Sequence, residues 1–524
     1  MAGGLAVAVV GGRSAEYHAE LSWRVFLVCI VASSGGLLFG YDLGIAGGVA
    51  SMQGFLERFF PEVIEQKLKA LQIPANKDYC QFDSQILQLW QSSMFLAGAF
   101  AGLLASWVSN RFGRRLTMIL GGFAFIVGSI MQATADVIAP LVVGRIILGL
   151  AIGFATQAVP VYLSEMSPAA LRGSLNICFQ LATAFGILIA NCINYGTNYL
   201  GPNLGWRLSL GLASVPALVF FVGSLLLPDT PNSLVQRGFE KEGRQILELM
   251  RGTKSVDAEL ADIKDAVMEA SKHNSSLRLF TQRRHLPQLL FAILIPIFQQ
   301  FTGINAFIFY APQIFITLGM AQTASLLGIV IVTAINIGAT LLAIYLVDRV
   351  GRKRLFGAGG VQMILAQIAT TILMAITFRH TSPPIYSIIL IEAFICMFTA
   401  GFAYSWGPLG WLVPTEIHTI ETRSAGQSVT VFTNFLASFC IAQSYLSMLC
   451  RLEYITFISF AACVAVMTLT VIFLLPETKG VPIEEVDLIW EQHPIWKRVV
   501  GPEISQARRG TEVASVRVSH GGCL

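Results

Sequence analysis

The sequence predicts an all-α membrane protein of twelve spanning helices built as two six-helix pseudo-repeats. Three observations carry that prediction. Hydrophobic residues make up 54% of the 524 positions and charged residues only 13%, where a soluble domain carries about 25% charged; the mean hydropathy is +0.66. Apolar runs of about 20 residues, the length that crosses a bilayer, recur along the chain. A short basic motif stands twice between such runs, as RFGRR at 111–115 and DRVGRK at 348–353. Two further pairs repeat in the same order, Glu165 with Glu416 and Pro228-Asp229-Thr230 with Pro476-Glu477-Thr478. The offsets are 238, 251 and 248 residues. A chain duplicated in this way encloses a site between its halves.

The runs fall at 24–46, 89–109, 115–136, 138–162, 173–196, 206–227, 287–318, 322–348, 354–378, 383–412, 424–450 and 452–475. They divide the chain into a tail at 1–23, a first bundle at 24–227, a linker at 228–286, a second bundle at 287–476 and a tail at 477–524. Within the linker, EGRQILELM and AELADIKDAV have the patterning of amphipathic helices on a membrane face. The first twenty residues lack a cleavage-type apolar core, so no removable signal peptide is expected.

Orientation follows from Lys and Arg. The 2–3 and 8–9 loops hold Arg111, Arg114, Arg115 and Arg349, Arg352, Lys353, Arg354, and the linker adds Arg237, Lys241, Arg244, Arg251 and Lys254. Short loops on the opposite side hold only Arg379 and Arg451, and the long 47–88 loop, with Arg58, Lys67, Lys69 and Lys77, counts for less. Both termini are expected in the cytoplasm. The net charge of +4 is small and spread over loops, which gives no support to nucleic-acid binding. Metal-ligand spacing, nucleophile motifs and phosphate-binding glycine loops are absent from the sequence, so neither a metal, a cofactor nor an enzymatic activity is expected.

Of nine cysteines, six (Cys29, Cys178, Cys192, Cys396, Cys440 and Cys463) fall in apolar runs and Cys523 in the last tail. Cys80, in the first long loop, and Cys450, at the end of the eleventh run, remain on the outer side, where disulfides persist. They are either a bridge that pins the 47–88 loop over the second half as a lid, or two unrelated thiols.

Charges at membrane depth are functional hypotheses by default. Asp42, in GGLLFGYDLG, and Arg145, in VVGRIILG, are an opposite-sign pair on separate runs of the first half. Desolvation favours the neutral acid and a neighbouring arginine favours the carboxylate. An aspartate held between those effects can exchange a proton; the alternative is a permanent ion pair that holds helices together. Glu392, in IILIEAFIC, is a further intramembrane acid with no evident partner and no assigned role. Glu165 and Glu416 lie at run ends, within reach of the RFGRR and GRK arginines, as latches between helices or as static surface pairs.

Amides and aromatic faces without net charge suit a neutral polyhydroxylated ligand. QQFTGIN supplies Gln299, Gln300 and Asn305, with helical spacing placing 299 and 303 on one face. Gln180, Asn336 and Asn434 add amides from the fifth, eighth and eleventh runs. Trp406 and Trp411 flank Pro408 and Gly410 in WGPLGW, which predicts a broken tenth helix, tolerated at midplane only beside a cavity. Each amide alone serves equally well as interhelical glue.

These motifs, with PVYLSEMSP at 160–168, SWGPLGWLVPTE at 405–416 and PETKG at 476–480, resemble the sugar porters of the major facilitator superfamily. Within that superfamily they are most similar to the hexose–proton symporters of plants and green algae, over about 20–490. The resemblance implies a major facilitator fold and monosaccharide import coupled to protons in a plasma membrane, by a protein that works as a monomer. It implies that Asp42 binds the proton with Arg145 as its partner. It implies that Gln180, Gln299, Gln300, Asn305, Asn336, Trp411 and Asn434 hold the sugar, that Phe39 and Leu43 flank it, and that Cys80 and Cys450 lock the lid. Two positions depart from the family pattern: Asn110 stands where aspartate is usual, and Glu392 where an apolar residue is expected. A facilitator that carries sugar downhill and a sensor that binds sugar without transport are the competing expectations. Asp42 argues against the first, and the short 477–524 tail against the second.

Overall fold

A computed structural model describes residues 23–65, 84–168, 172–271, 280, 282–305, 307–308, 315–316, 320, 322–377, 384–418, 422–481 and 486–500. The described secondary structure is helical throughout. The first half holds α1 (Trp23–Val49), the short α2 (Gln53–Phe59), α3 (Gln85–Phe112), α4 (Arg114–Ala133), α5 (Ile138–Met166), α6 (Arg172–Thr197), α7 (Gly205–Gly211) and α8 (Ser214–Leu226). The linker forms α9 (Pro231–Gln236), α10 (Glu240–Arg251) and α11 (Asp257–Ser271). The second half holds α12 (Leu286–Gln300), α13 (Gln322–Val350), α14 (Arg352–Thr377), α15 (Ile385–Tyr404), α16 (Trp406–Glu416), α17 (Arg423–Leu452) and α18 (Ile455–Leu474), followed by α19 (Val486–Gln492) and α20 (Lys497–Val500).

Eleven spans in the described chain are long and apolar enough to cross a membrane, with α7–α8 and α15–α16 each counted as one. The twelfth is the seventh run, of which α12 is the first part; much of its continuation lies outside the described residues. We call the side bearing RFGRR and DRVGRK the basic end, and the side bearing α2 the lid end.

Close approach of helices in lipid needs small residues, and α1 shows why. Gly36, Gly40, Gly44 and Gly48 recur every fourth position and form one stripe against α6. A methyl group at Gly40 would run into the Thr183 backbone, and one at Gly48 into the Asn194 side chain. The two halves meet where α3 packs along α17 and α6 along α13.

The tenth span is broken, but at Ser405 rather than at Pro408 and Gly410. Ser405 has φ −128° and ψ −91° and separates α15 from α16. Pro408 lies in the first turn of α16, where a missing N–H costs nothing. QQFTGIN also differs from a continuous helix. α12 ends at Gln300, and Gly303 takes φ +85° against the Phe460 ring, so 299 and 303 do not share a helical face. The glycine that makes room for Gln299 is Gly410, whose added Cβ would overlap the Gln299 side chain.

Candidate functional site

Between the halves lies a cavity lined by Phe39 and Leu43 of α1, Gln180, Thr183 and Ile187 of α6, and Gln299 and Gln300 of α12. Ile304, Asn305 and Ile308 of the seventh run, Asn336 of α13, Phe402 of α15 and Trp411 of α16 complete the lining. Three of the lining amides form a chain with Asn434 of α17, which is not itself among the lining residues. Asn305 Nδ2 donates to Gln300 Oε1 at 2.6 Å, and Gln300 Nε2 donates to Asn434 Oδ1 at 3.2 Å. Asn434 Nδ2 donates to Gln299 Oε1 at 2.7 Å, and Gln299 Nε2 donates to the carbonyls of Trp406 at 3.2 Å and Gly407 at 2.8 Å. The chain is thereby anchored on the first residues after the Ser405 break.

Gln180 makes no hydrogen bond among the described residues, and Asn336 is held only within its own helix, where Thr340 Oγ1 donates to Asn336 Oδ1 at 3.3 Å. Both therefore present polar atoms to the cavity. Phe39 stands edge-on to Trp411 (6.4 Å between centroids) and to Phe435 (5.8 Å), and Phe179 stands edge-on to Trp411 (5.8 Å). The result is an uncharged pocket with unspent amide groups and aromatic walls.

One residue from Leu43 on α1, Asp42 meets Arg145 of α5. Arg145 Nη1 lies 2.7 Å from Oδ1 and 2.8 Å from Oδ2, and both side chains are essentially inaccessible, at 0% and 1% exposure. Trp90 lies under the guanidinium, its ring centroid 4.3 Å from Cζ. Arg145 Nε and Nη2 are buried without a hydrogen-bond partner. The contact thus uses one guanidinium nitrogen rather than the stronger two-pronged fork. Trp90 in turn packs on Phe55 of α2 at 4.9 Å, so the lid-end helix sits directly over the pair.

At the basic end the repeat is structural as well as sequential. In the first half Arg114 Nη2 lies 3.0 Å from Glu165 Oε1, Thr230 Oγ1 donates to Glu165 Oε2 at 2.5 Å, and the Arg114 amide donates to Asp229 at 3.1 Å. In the second half Arg352 Nη2 lies 2.6 Å from Glu416 Oε1, Thr478 Oγ1 donates to Glu416 Oε2 at 2.7 Å, and the Arg352 amide donates to Glu477 at 2.9 Å. Gly113 and Gly351 make the same turn, with φ +100° and +96°. A Cβ at Gly113 would run into the Asp229 carboxylate.

The side chains of the other motif cations do not join these networks, although the Arg115 amide donates to Asp229 at 3.4 Å and the Lys353 amide to Glu477 at 3.1 Å. Arg111 stacks on Trp107 and Phe112, Arg349 covers the Tyr345 ring, and Arg115 donates to the carbonyls of Ser224 and Leu225. The first-half network stays with its own bundle and the linker, whereas the second-half one reaches across, because Arg352 Nη1 also lies 3.1 Å from Asp348, which accepts from Ser174 Oγ of α6 at 2.6 Å. Ser106 to Ser424 (2.9 Å) and Asn176 to Thr415 (3.2 Å) also join the halves at this end. At the lid end Gln85 bonds Ser447 (2.9 Å) and Ser92 bonds Gln443 (2.8 Å). Asp348 crosses to α6, whereas the side chain of Asn110, at the matching position of the first motif, makes no hydrogen bond among the described residues.

Just past α16, outside the spans, His418 is fully buried against Gly426 of α17, with neither ring nitrogen hydrogen-bonded. Burial pushes its pKa from 6.5 down to about 3, with His285 and Arg423 adding repulsion. A base whose pKa is depressed on folding takes up a proton when its site opens. Its contribution to stability is therefore full above pH 6.5 and declines as the pH falls from there toward about 3. We expect the thermal midpoint of the purified protein to drop between about pH 7 and about pH 5, and His418→Phe to blunt that drop; equal slopes for both proteins would contradict it.

Cys450, near the end of α17, is disulfide-bonded, while Cys80 lies outside the described residues. Cys29, Cys178, Cys192, Cys396, Cys440 and Cys463 are free thiols. Sequence reasoning did not pick out Thr183, Ile187, Ile304, Ile308 and Phe402 in the cavity, Trp90 beneath Arg145, or the roles of Asp229 and Thr230. The last two were visible as the Pro-Asp-Thr and Pro-Glu-Thr repeat; the apolar cavity residues carry no signal that separates them from core.

Comparison with known proteins places this geometry. The family described as Sugar (and other) transporter matches residues 28–490. Sugar transport protein 10 of Arabidopsis thaliana is 48% identical over 505 residues, covering 95% of this chain and 97% of the relative. Sugar transport protein MST4 of Oryza sativa subsp. japonica is 49% identical over 501 residues, covering 95% and 96%. Among solved structures, the major facilitator superfamily proton:xylose symporter XylE bound to 6-bromo-6-deoxy-D-glucose aligns with a TM-score of 0.76 at 26% identity, over 90% of this chain and all of that one. The inward-open conformation of XylE from E. coli aligns with a TM-score of 0.67 at 26% identity, over 89% of this chain.

Proposed function

We propose, for a chain that belongs to the sugar (and other) transporter family, the function of a proton-coupled monosaccharide symporter that imports a hexose by alternating access of its two six-helix halves. The observation that carries this reading is the shared turn of α1. Phe39 and Leu43 line the cavity while Asp42, between them in sequence, pairs with Arg145. Whatever changes the charge on Asp42 acts on the wall of the sugar cavity through one rigid helical turn.

The basic end faces the cytoplasm and the lid end faces outward, in a plasma membrane. A proton arriving from outside neutralises Asp42 and releases it from Arg145, and α1 then closes its Phe39–Leu43 face on the sugar. Gln299, Gln300, Asn305 and Asn434 exchange their mutual hydrogen bonds for bonds to sugar hydroxyls, Gln180 and Asn336 add their free amide groups, and Trp411 supplies the apolar face. Inside, loss of the proton restores the Asp42–Arg145 pair and frees the sugar. The Arg114–Glu165 and Arg352–Glu416 networks act as latches between helices while the inner side is shut and break when it opens, together with the contacts that cross between the halves at that end. A Cys80–Cys450 bridge would tie the lid loop to α17.

The driving force suffices. A gradient of ~1.5 pH units supplies roughly 2 kcal/mol per proton, and ~150 mV adds roughly 3.5 kcal/mol. One proton per sugar then supports about 10⁴-fold accumulation. Uptake of labelled glucose by transporter-deficient cells expressing the protein tests the reading. We expect accumulation above equilibrium at acid external pH that collapses with a protonophore. Equilibration indifferent to pH would make the protein a facilitator.

A further inference from the structure

The second half carries a half-buried acid that the mechanism above leaves unused. Glu392 sits in α15, within two turns of its lid-end start, and its Oε1 is buried with no hydrogen-bond partner. It lies against α13. A Cβ added at Gly328 would stand 3.1 Å from Glu392 Oε1 and 3.2 Å from the Phe315 ring. The carboxyl thus occupies space that any other residue at 328 would fill. Among the described residues Glu392 forms no ion pair, and the next titratable side chain along its own helix is Cys396, a turn further on in α15.

The charged side chains of the helices packed against α15 are remote. Asp348 and Arg349 of α13 and Arg352, Lys353 and Arg354 of α14 all lie at the basic end. Asp348 is 20 residues from Gly328, which is roughly 30 Å along a helix. A carboxylate at membrane depth with neither cation nor donor is disfavoured by several kcal/mol. The neutral acid is the form this packing accepts. Asp42 differs, since its charge is met by Arg145.

The same two helices also line the sugar cavity, α13 through Asn336 and α15 through Phe402. Movement of either helix when sugar binds would alter the α13–α15 contact on which Glu392 Oε1 rests. We propose that Glu392 is a second proton-binding site, belonging to the second half. It holds a proton while α13 and α15 are packed as here and exchanges it when sugar binding or opening parts them. This rests on the proton-coupled reading and adds to it a titration that Asp42 does not account for.

Infrared difference spectroscopy on the full-length protein in lipid nanodiscs tests it, with glucose as the probe. Near neutral pH we expect the carbonyl stretch of a protonated carboxylic acid in wild type and in Asp42→Asn, and its loss in Glu392→Gln. Glucose should shift or deplete that band in wild type, and Glu392→Gln should flatten the external-pH profile of uptake while transport at acid pH survives. Gly328→Ala, which crowds Oε1 without removing the acid, should move the band, and it serves as the second variant if Glu392→Gln folds poorly. An unchanged spectrum in Glu392→Gln would overturn the proposal. A band that glucose leaves untouched, together with a wild-type pH profile in Glu392→Gln, would also overturn it by making Glu392 a static neutral acid. Failure of symport itself would show separately, as wild type equilibrating labelled glucose without accumulating it at any external pH.

Discussion

Asp42→Asn is expected to exchange labelled hexose across the membrane yet fail to concentrate it, so that accumulation falls from as much as about 10⁴-fold to about 1. Asparagine keeps the shape of a protonated aspartate and cannot become charged. The variant therefore binds and releases sugar on either side as the protonated carrier does, but without the proton loss that ties release inside to the gradient. It also leaves Arg145 without its counter-ion in a site where Nε and Nη2 already lack partners. Removing one member of a buried pair typically costs about 3–5 kcal/mol, offset here by the Trp90 face 4.3 Å away. Counterflow in cells, run beside thermal unfolding of the purified variant, separates the two effects. Normal counterflow without accumulation supports the proton role. Retained accumulation shows that Asp42 and Arg145 are a structural pair.

Gln299→Ala carries the second large effect. Gln299 sits at the junction of the amide chain, accepting from Asn434 and donating to two carbonyls beside the Ser405 break. Its loss leaves Asn434 Nδ2 and both carbonyls short of a partner, each worth about 1–3 kcal/mol if nothing replaces it. A sugar that draws two hydrogen bonds from this residue should bind roughly 10- to 100-fold more weakly. Proton dependence should remain, since Asp42 is untouched. The half-saturating glucose concentration checks this. A large drop in unfolding temperature with unchanged saturation would show Gln299 to be interhelical glue and place the sugar elsewhere in the cavity.

The class of fold is legible in the sequence because lipid imposes it: apolar length, the paired basic motifs and the Glu165/Glu416 repeat all report on whole helices. The site is legible where it uses residues a bilayer disfavours. Asp42, Arg145 and the QQ, Asn336 and Asn434 amides stand out against apolar surroundings, and the structure brings Gln299, Gln300 and Asn336 to one cavity, hydrogen-bonds Asn434 to the two glutamines, and brings the two charges to one contact. Detail that depends on backbone geometry is not legible. Pro408 points to a break, but the chain bends at Ser405, and the proline takes the helical first turn that tolerates it. Gly303 reads as room for Gln299, yet its left-handed conformation turns the chain and Gly410 supplies the room. Trp90 reads as core in any helix, and only the fold shows that its face lies beneath Arg145. The Asp229 and Glu477 roles need the return of the chain after α8 and α18, which local patterning does not reveal.

The central claim is that one conformational cycle moves a sugar and a proton together. The most direct measurement is sugar-evoked proton entry into proteoliposomes holding the purified protein, read with an internal pH dye and no imposed gradient. Inward glucose should acidify the lumen in step with labelled glucose uptake in wild type and leave it unchanged in Asp42→Asn. Glucose entry in wild type without acidification would contradict the account and reduce the protein to a facilitator.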